Sequence, residues 1–411
     1  MLNEKLIEEL EKYNQTHLID TYNTLENTRK ENFANQLDSL EFSLLDKLKV
    51  FKENNVSACK GVIEPLQAMQ LKDIDESRSE FRKIGLDAIK AGKVGAVLLA
   101  GGQGTRLGFD KPKGMFNIGI NKQVFIFQRL IENLMDVVKE AGLFIPLMIM
   151  TSEKNNEDTV NFFKENNYFG YNKEYIMFFV QKMAPSVDFE GRLLLEDVGR
   201  LSLSPNGNGG WYSSLAACGV LDKVKKMGVE WLNVFAVDNV LQRIADPEFI
   251  GATIESGCVS GAKVVKKATP DERVGVMCNE DGRPSIVEYY ELSDSMRDAT
   301  DKNGEPAYNY GVILNYLFRI SELDKIYNNE MPIHIVEKKI PYIDENGEYV
   351  NPTEPNGYKF EELILDMIHM LDSCLPYEVE RSREFAPVKN KEGVDSIDTA
   401  RELLIKNGIE I

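Results

Sequence analysis

The chain has little cysteine: among 411 residues there are five, Cys59, Cys218, Cys258, Cys278 and Cys374. The number is odd and no two form a CxxC pair, which argues against a disulfide framework and a structural zinc site. Reduced, buried, inert thiols in a cytoplasmic protein are the expectation. Histidine is scarcer still. His17, His334 and His369 are the complete set, none stands in a motif, and all three read as structural. No apolar run approaches the roughly 18 residues a membrane span needs. The opening run Met1-Leu2-Asn3-Glu4-Lys5-Leu6-Ile7-Glu8-Glu9-Leu10 is charged and periodic and does not look like a secretory signal. Positive charge is also short: 48 Lys and Arg face 66 Asp and Glu, a net charge of −18. So acidic a surface repels nucleic acid and anionic membranes. An anionic ligand would need a local pocket that overrides the global field.

What is present is a globular composition, 43% hydrophobic and 28% charged, which rules out general disorder. Leu2, Leu6 and Leu10 share one helical face, as do Leu37, Leu40, Leu44 and Leu48, so residues 1–90 read as a helical packing region. From Lys93 the pattern changes. Val94 to Ala100 is a continuous apolar run of the kind found in strands buried on both faces. Further short runs at Pro146–Met150, Ile176–Val180 and Trp231–Val237 alternate with helical stretches at 125–141, 156–166 and 212–227. That alternation predicts βαβ units: an α/β fold with a doubly wound, mixed and mostly parallel sheet. Val274–Met277 and Ile286–Tyr290 flank Asp281-Gly282, a hairpin signal. The predicted organisation is a helical N-terminal region (1–90), a central nucleotide-binding domain (91–330) and a small C-terminal α+β region (331–411).

The most informative stretch leaves the first buried strand: Leu99-Ala100-Gly101-Gly102-Gln103-Gly104-Thr105-Arg106-Leu107-Gly108, followed by Pro112-Lys113-Gly114. In doubly wound folds ligands sit beyond the carboxyl ends of strands. Clustered glycines let backbone N–H groups approach a phosphate, and Arg106 and Lys113 add positive charge. The dinucleotide fingerprint fails because Leu107 stands where its last glycine belongs, and a P-loop fails because Gly114 follows Lys113 where Ser or Thr is required.

GGQGTRLG followed by PKG resembles the signature of nucleotide-sugar pyrophosphorylases, especially the UDP-N-acetylhexosamine type. Further matches follow in order: Met150-Thr151-Ser152, Phe178-Phe179-Val180-Gln181, Asn206-Gly207-Asn208-Gly209-Gly210, Val237-Asp238-Asn239, Gly261–Val265, Val287-Glu288-Tyr289, Lys338–Tyr342 and Phe385–Asn390. The resemblance implies a nucleotidyltransferase-like fold and a reaction between UTP and N-acetylglucosamine 1-phosphate that releases pyrophosphate. It implies Mg²⁺ as cofactor, a cytoplasmic monomer or weak homo-oligomer, and no nucleic-acid or membrane partner. Such transfers rest on positioning and electrostatic stabilisation. The attacking sugar phosphate is already ionised, so no general base is needed.

Residue by residue, the resemblance gives Arg106, Lys113 and Lys389 catalytic contacts to the phosphates. Leu99, Ala100, Gly101, Gly102, Gln181 and Gly207 become nucleotide contacts, Gln181 reading uracil through its amide. Asn208, Gly275, Glu288, Tyr289, Asn309 and Leu365 become the sugar pocket, and Asp238 the metal ligand. Alone, the Asn206–Gly210 run reads more often as only a turn, and for Asp238 a strand-end cap is the lesser alternative. Three departures bear on the sugar: Val312 stands where the family usually has asparagine, Leu363 and Leu365 where it often has phenylalanine, and Lys182 where glycine is common. The same chemistry on glucose 1-phosphate, or on a broader range of sugars, is the alternative.

Overall fold

In the computed structural model residues 2–54, 61–327 and 331–411 are described, and the chain divides into two compact units. One comprises Met1–Cys59, Lys182–Gly210 and Met331–Ile364; the other comprises Lys60–Gln181, Trp211–Glu330 and Leu365–Ile411. This cuts across the expected division at 90/91 and 330/331. Helix Leu71–Lys90 belongs with the larger unit, and three separate stretches of chain build the smaller one.

In the smaller unit, helices Glu4–Lys12, Thr16–Thr24, Asn27–Asp38 and Ser43–Asn54 bury Leu6, Leu10, Leu18, Phe33, Leu37 and Leu48 in one cluster with Val187, Leu193 and Phe360. The leucine periodicity is therefore a core face, but Leu37 and Leu44 lie on different helices. Leu40 falls between them and is only half-buried. A three-stranded antiparallel sheet, ordered His334–Lys338, Gly357–Glu361 and Val187–Asp188, completes the unit.

The larger unit is built on ten strands of one sheet: β1 (Ile63–Pro65), β2 (Val94–Leu99), β3 (Leu147–Thr151), β4 (Ile176–Val180), β5 (Trp231–Ala236), β6 (Ser260–Lys266), β7 (Val276–Glu280), β8 (Arg283–Val287), β9 (Tyr310–Arg319) and β10 (Cys374–Glu378). β4, β3, β2 and β5 form a parallel block in that order. Beyond β5 the sheet is mixed: β9 runs against β5, β6 and β7, and β10 lies parallel to β6. Every residue of β2 is buried. Ala96 and Leu98 pack in one cluster with Phe127, Leu130 and Leu134 of helix Ile126–Ala141, and Val97 is equally buried on the opposite face. Each Val or Leu side chain contributes about 1.5–3 kcal/mol when buried, which favours placing this run where both faces of the sheet are covered.

Two local expectations shift. The stretch 212–227 is two helices, Trp211–Ala217 and Val220–Lys226, because Gly219 between them adopts φ +73° and breaks the hydrogen-bond ladder. The hairpin is present but moved along the chain: β7 and β8 are joined by Asp281 and Gly282, both at positive φ, the conformation of a type I′ turn.

Parallel register decides what meets at the sheet edge. Leu99 pairs with Ala236 and Met150, and Thr151 pairs with Val180. The glycine-rich loop after β2, the Asp238 segment after β5 and Gln181 after β4 therefore emerge at one edge, as expected for a ligand site in a doubly wound sheet.

Candidate active site

The loop after β2 folds back on itself. The N–H of Gly104 donates to the Lys111 carbonyl at 2.9 Å, and the N–H of Lys113 donates to the Gly102 carbonyl at 3.2 Å. Lys113 is thereby returned beside the glycines that precede it by eleven and twelve positions. Lys113–Met115 is a single 3₁₀ turn, seated by Gly114 so closely on the Phe127 ring that any Cβ there would strike it. Arg106 lies on another 3₁₀ turn, Thr105–Leu107, exposed while its neighbour Leu107 is buried.

Leu99 and Ala100 are buried, and Gly102 faces open space. Gly101 is in contact with the Gln181 amide, whose Nε2 occupies the position a Cβ at Gly101 would take. Gln181 is 5% exposed, and its backbone N–H donates to the Thr151 carbonyl at 2.8 Å. A glycine at 101 is thus the condition for the amide to sit over the loop.

Four charged side chains, drawn from chain positions as far apart as 106 and 389, converge here. Lys113 is half-buried, and burial pushes its pKa below the usual lysine value; the Asp238 carboxylate opposes that shift, while Lys389 and Arg106 reinforce it. Asp238 stands two residues beyond β5. Its carbonyl accepts the Val388 N–H at 2.8 Å, so Lys389 comes to the same place. In this structure Lys389 also pairs with Asp395 at 3.2 Å, a partner that was not evident in the sequence. Among the described residues no group of three or more His, Cys, Asp or Glu could hold a metal ion. One strand-end carboxylate among cations nevertheless fits a magnesium ion whose remaining ligands are phosphate oxygens and water.

A second group lies around Gly275. A Cβ there would come within 3.0 Å of Ile286, 3.4 Å of Val312 and 3.8 Å of the Glu288 carboxyl carbon, so Gly275, Glu288 and Val312 are neighbours. Tyr289 is 37% exposed and stacks edge-to-face on Tyr290. Asn309 is buried, with its side-chain oxygen and its carbonyl both accepting the Lys267 N–H. Leu365 is half-buried on helix Ile364–Met370.

Gly207 and Asn208 belong to the smaller unit. Gly207 has φ +90°, and the Asn208 Oδ1 accepts the Ile364 N–H at 2.9 Å, which leaves Nδ2 as its donor. No described contact links them to the glycine-rich loop.

Sequence reading assigned no role to three polar residues. Asn155, fully buried, donates to the Ala100 carbonyl at 3.0 Å and holds the start of the loop to the end of β3. Asn239 donates to the Glu384 carbonyl at 2.7 Å and accepts the Ala386 N–H at 2.9 Å, stitching the Asp238 segment to the Lys389 segment. Gln103, within the loop, keeps its Oε1 buried without a hydrogen-bond partner, an acceptor suited to a ligand donor. Only a polar residue between glycines, in the case of Gln103, could have been noticed in advance.

The histidines are apart from this cluster. The His17 ring is kept neutral by burial, with Nε2 at 2.9 Å from the Leu193 carbonyl. Cysteine burial is less uniform than expected: Cys278 and Cys374 are buried, the Cys374 thiol being pushed up to about 12, but Cys258 is half-buried and Cys218 exposed. Cys59 lies outside the described residues.

A doubly wound sheet with a glycine-rich, cationic loop at its strand ends defines a nucleotidyltransferase-like fold. The family model described as UTP–glucose-1-phosphate uridylyltransferase matches residues 41–404. The chain is 40% identical to the mouse UDP-N-acetylhexosamine pyrophosphorylase-like protein 1 over 78% of its own length and 65% of the relative's. It is 38% identical to the Saccharomyces cerevisiae UDP-N-acetylglucosamine pyrophosphorylase over 87% of its length and 78% of the relative's. A crystal structure of the Trypanosoma brucei UDP-N-acetylglucosamine pyrophosphorylase, in complex with an inhibitor, superposes with a TM-score of 0.85 at 28% identity, covering 97% of this chain and 84% of that one. The chain belongs to the UTP–glucose-1-phosphate uridylyltransferase family, on its UDP-N-acetylglucosamine pyrophosphorylase side. No helix among the described residues is long and apolar enough to cross a membrane.

Proposed function

We propose that the protein is a cytoplasmic uridylyltransferase that joins UTP and N-acetylglucosamine 1-phosphate, releasing pyrophosphate, with Mg²⁺ as cofactor. The observation that carries this reading is the convergence of Arg106, Lys113, Lys389 and Asp238 at the edge where the glycine-rich loop leaves β2. A sugar-phosphate oxygen would form a bond to the α-phosphorus as the bond to the β-phosphate oxygen breaks. Lys113 and Arg106 would hold the departing pyrophosphate, and Lys389 the incoming sugar phosphate. Mg²⁺, when bound at Asp238, would neutralise charge on the phosphate oxygens. Backbone from Leu99 to Gly102 and the Gln181 amide would hold the nucleoside, with Gly207 a further uridine contact. Gly275, Glu288, Tyr289, Asn309, Asn208 and Leu365 would serve the sugar. The enzyme would act as a monomer or weak homo-oligomer.

The direct test is pyrophosphate release with UTP, Mg²⁺ and, separately, N-acetylglucosamine, N-acetylgalactosamine and glucose 1-phosphates. Preference for N-acetylglucosamine supports the reading; preference for glucose replaces it with the alternative, which the apolar Val312 beside Gly275 would then explain.

Two further outcomes are expected. Gly101→Ala would displace the Gln181 amide, raising KM for UTP about tenfold, the scale of one buried hydrogen bond, while kcat changes little. Steady-state kinetics with wild-type KM would remove Gln181 from uracil recognition.

The second outcome concerns pH. The Lys113 pKa is lowered in the free protein, so its charged form carries a stability cost that fades as pH rises through that value. The triphosphate requires the charged form. UTP affinity and kcat/KM should therefore fall as pH rises through a value below 10.5, and kcat/KM reports the free enzyme. In Lys113→Arg the limb should vanish from the measurable range. A flat wild-type profile to pH 10.5 would contradict the assignment.

A further inference from the structure

Behind the four converging charges lies a set that the transfer chemistry does not use. Lys263, on β6, is fully buried; its Nζ donates to Asp246 Oδ2 at 2.9 Å, to Glu384 Oε2 at 2.6 Å and to the Arg243 carbonyl at 3.2 Å. Asp246 and Glu384 are themselves buried. Arg243 completes the balance, 3.3 Å from Asp246. Burial pushes both carboxyls up; at Asp246 the cations Lys263 and Arg243 outweigh it and hold the group below the usual range, whereas at Glu384 burial prevails and the group stays above it. Stability is a weak reason for such a cluster, because well-packed apolar residues in place of a buried ion pair are often neutral or stabilising.

The partners lead somewhere specific. Asp246 follows Asp238 on the segment leaving β5, and Glu384 precedes Lys389. The two segments are already joined: the Glu384 carbonyl accepts from Asn239 at 2.7 Å, Glu384 Oε2 accepts the Arg243 N–H at 3.3 Å, and the Asp238 carbonyl accepts from Val388 at 2.8 Å. Lys263 reaches both from a third strand, deep in the sheet.

We propose that Lys263 is a positioning residue: its ammonium, gripping Asp246 and Glu384, clamps the Asp238 segment to the Lys389 segment and so fixes the separation between the carboxylate and the lysine that serve the two phosphates. This rests on the uridylyltransferase reading. No described contact joins the clamp to the glycine-rich loop, so UTP binding measured without metal, which rests on that loop, should be spared.

The test uses full-length Glu384→Gln, Lys263→Met and the Lys263→Met/Glu384→Gln pair, with thermal unfolding, kinetics and calorimetric binding of UTP and of N-acetylglucosamine 1-phosphate. For Glu384→Gln, folded at the assay temperature, kcat should fall about tenfold and sugar-phosphate affinity about tenfold, with UTP affinity within twofold. Lys263→Met removes the cation paired with Glu384 and leaves Asp246 to Arg243 alone, and should lose much of its thermal stability. The double variant, with charge balance restored, should recover stability but not kcat. Folded variants with wild-type kcat and sugar-phosphate affinity would overturn the clamp alone, and collapse of all three variants would assign the cluster to stability and overturn it as well. A wild type that releases no pyrophosphate would take the functional reading down first, and the clamp with it.

Discussion

Lys113→Ala is expected to cut turnover by about 100-fold or more, the scale of losing one preorganised stabiliser of developing charge. The reason is the placement of this lysine. It is half-buried, its backbone held to Gly102 and seated by Gly114 against Phe127, so the root of its side chain is fixed beside the glycine-rich loop. Arg106, exposed on its short turn, faces more water and should cost less when removed. Because burial works against the Lys113 charge, the ligand-free alanine variant should melt no lower than wild type. A variant that is equally stable and nearly inactive is the signature of a group retained for function. Stopped-time pyrophosphate assays beside thermal unfolding would check both halves. Near-normal turnover would withdraw Lys113 from the chemistry.

Asp238→Ala should be comparably severe, again about 100-fold in kcat, for a different reason. With one carboxylate in place, a magnesium shell as proposed would depend on Asp238 and on substrate oxygens. Its loss should raise the Mg²⁺ concentration needed for half-maximal rate, and the wild-type rate should not return at saturating metal. The carboxylate also opposes the downward shift of Lys113. Asp238→Asn should therefore move the alkaline limb of kcat/KM to lower pH, a change absent from Lys113→Arg. Because the two residues sense each other, the double alanine variant should lose less than the product of the single losses. Full activity in Asp238→Ala would return this residue to a capping role.

Much of the fold could be read from the order of residues, for a reason visible in β2. A six-residue apolar run bounded by Lys93 and a glycine cluster has no low-energy place except a sheet covered on both sides, and Ile176–Val180 was legible in the same way. The glycine-rich loop was legible because its chemistry is local: Gly101, Gly102, Arg106 and Lys113 all lie within thirteen consecutive positions. Asp281-Gly282 was legible as a turn but not in register, because strand ends depend on what pairs opposite. Gly219 escaped notice inside a helical pattern because a single glycine is tolerated there until tertiary packing favours the break.

Sequence alone settled the local matters: which segments must be buried, where the chain turns, and that a basic, glycine-rich bend follows the first buried strand of an acidic protein. Backbone preference and apolar burial act over a few residues, so a short window carries them. Tertiary structure decided which distant residues become neighbours. It set Gln181 over Gly101, brought Asp238 and Lys389 together through Asn239 and Val388, gave Lys389 the partner Asp395, and drew Lys263, Asp246 and Glu384 into one buried charge cluster. Hydrogen bonds and ion pairs of this kind reach only about 3 Å, and nothing in the linear order measures that distance until the sheet has formed.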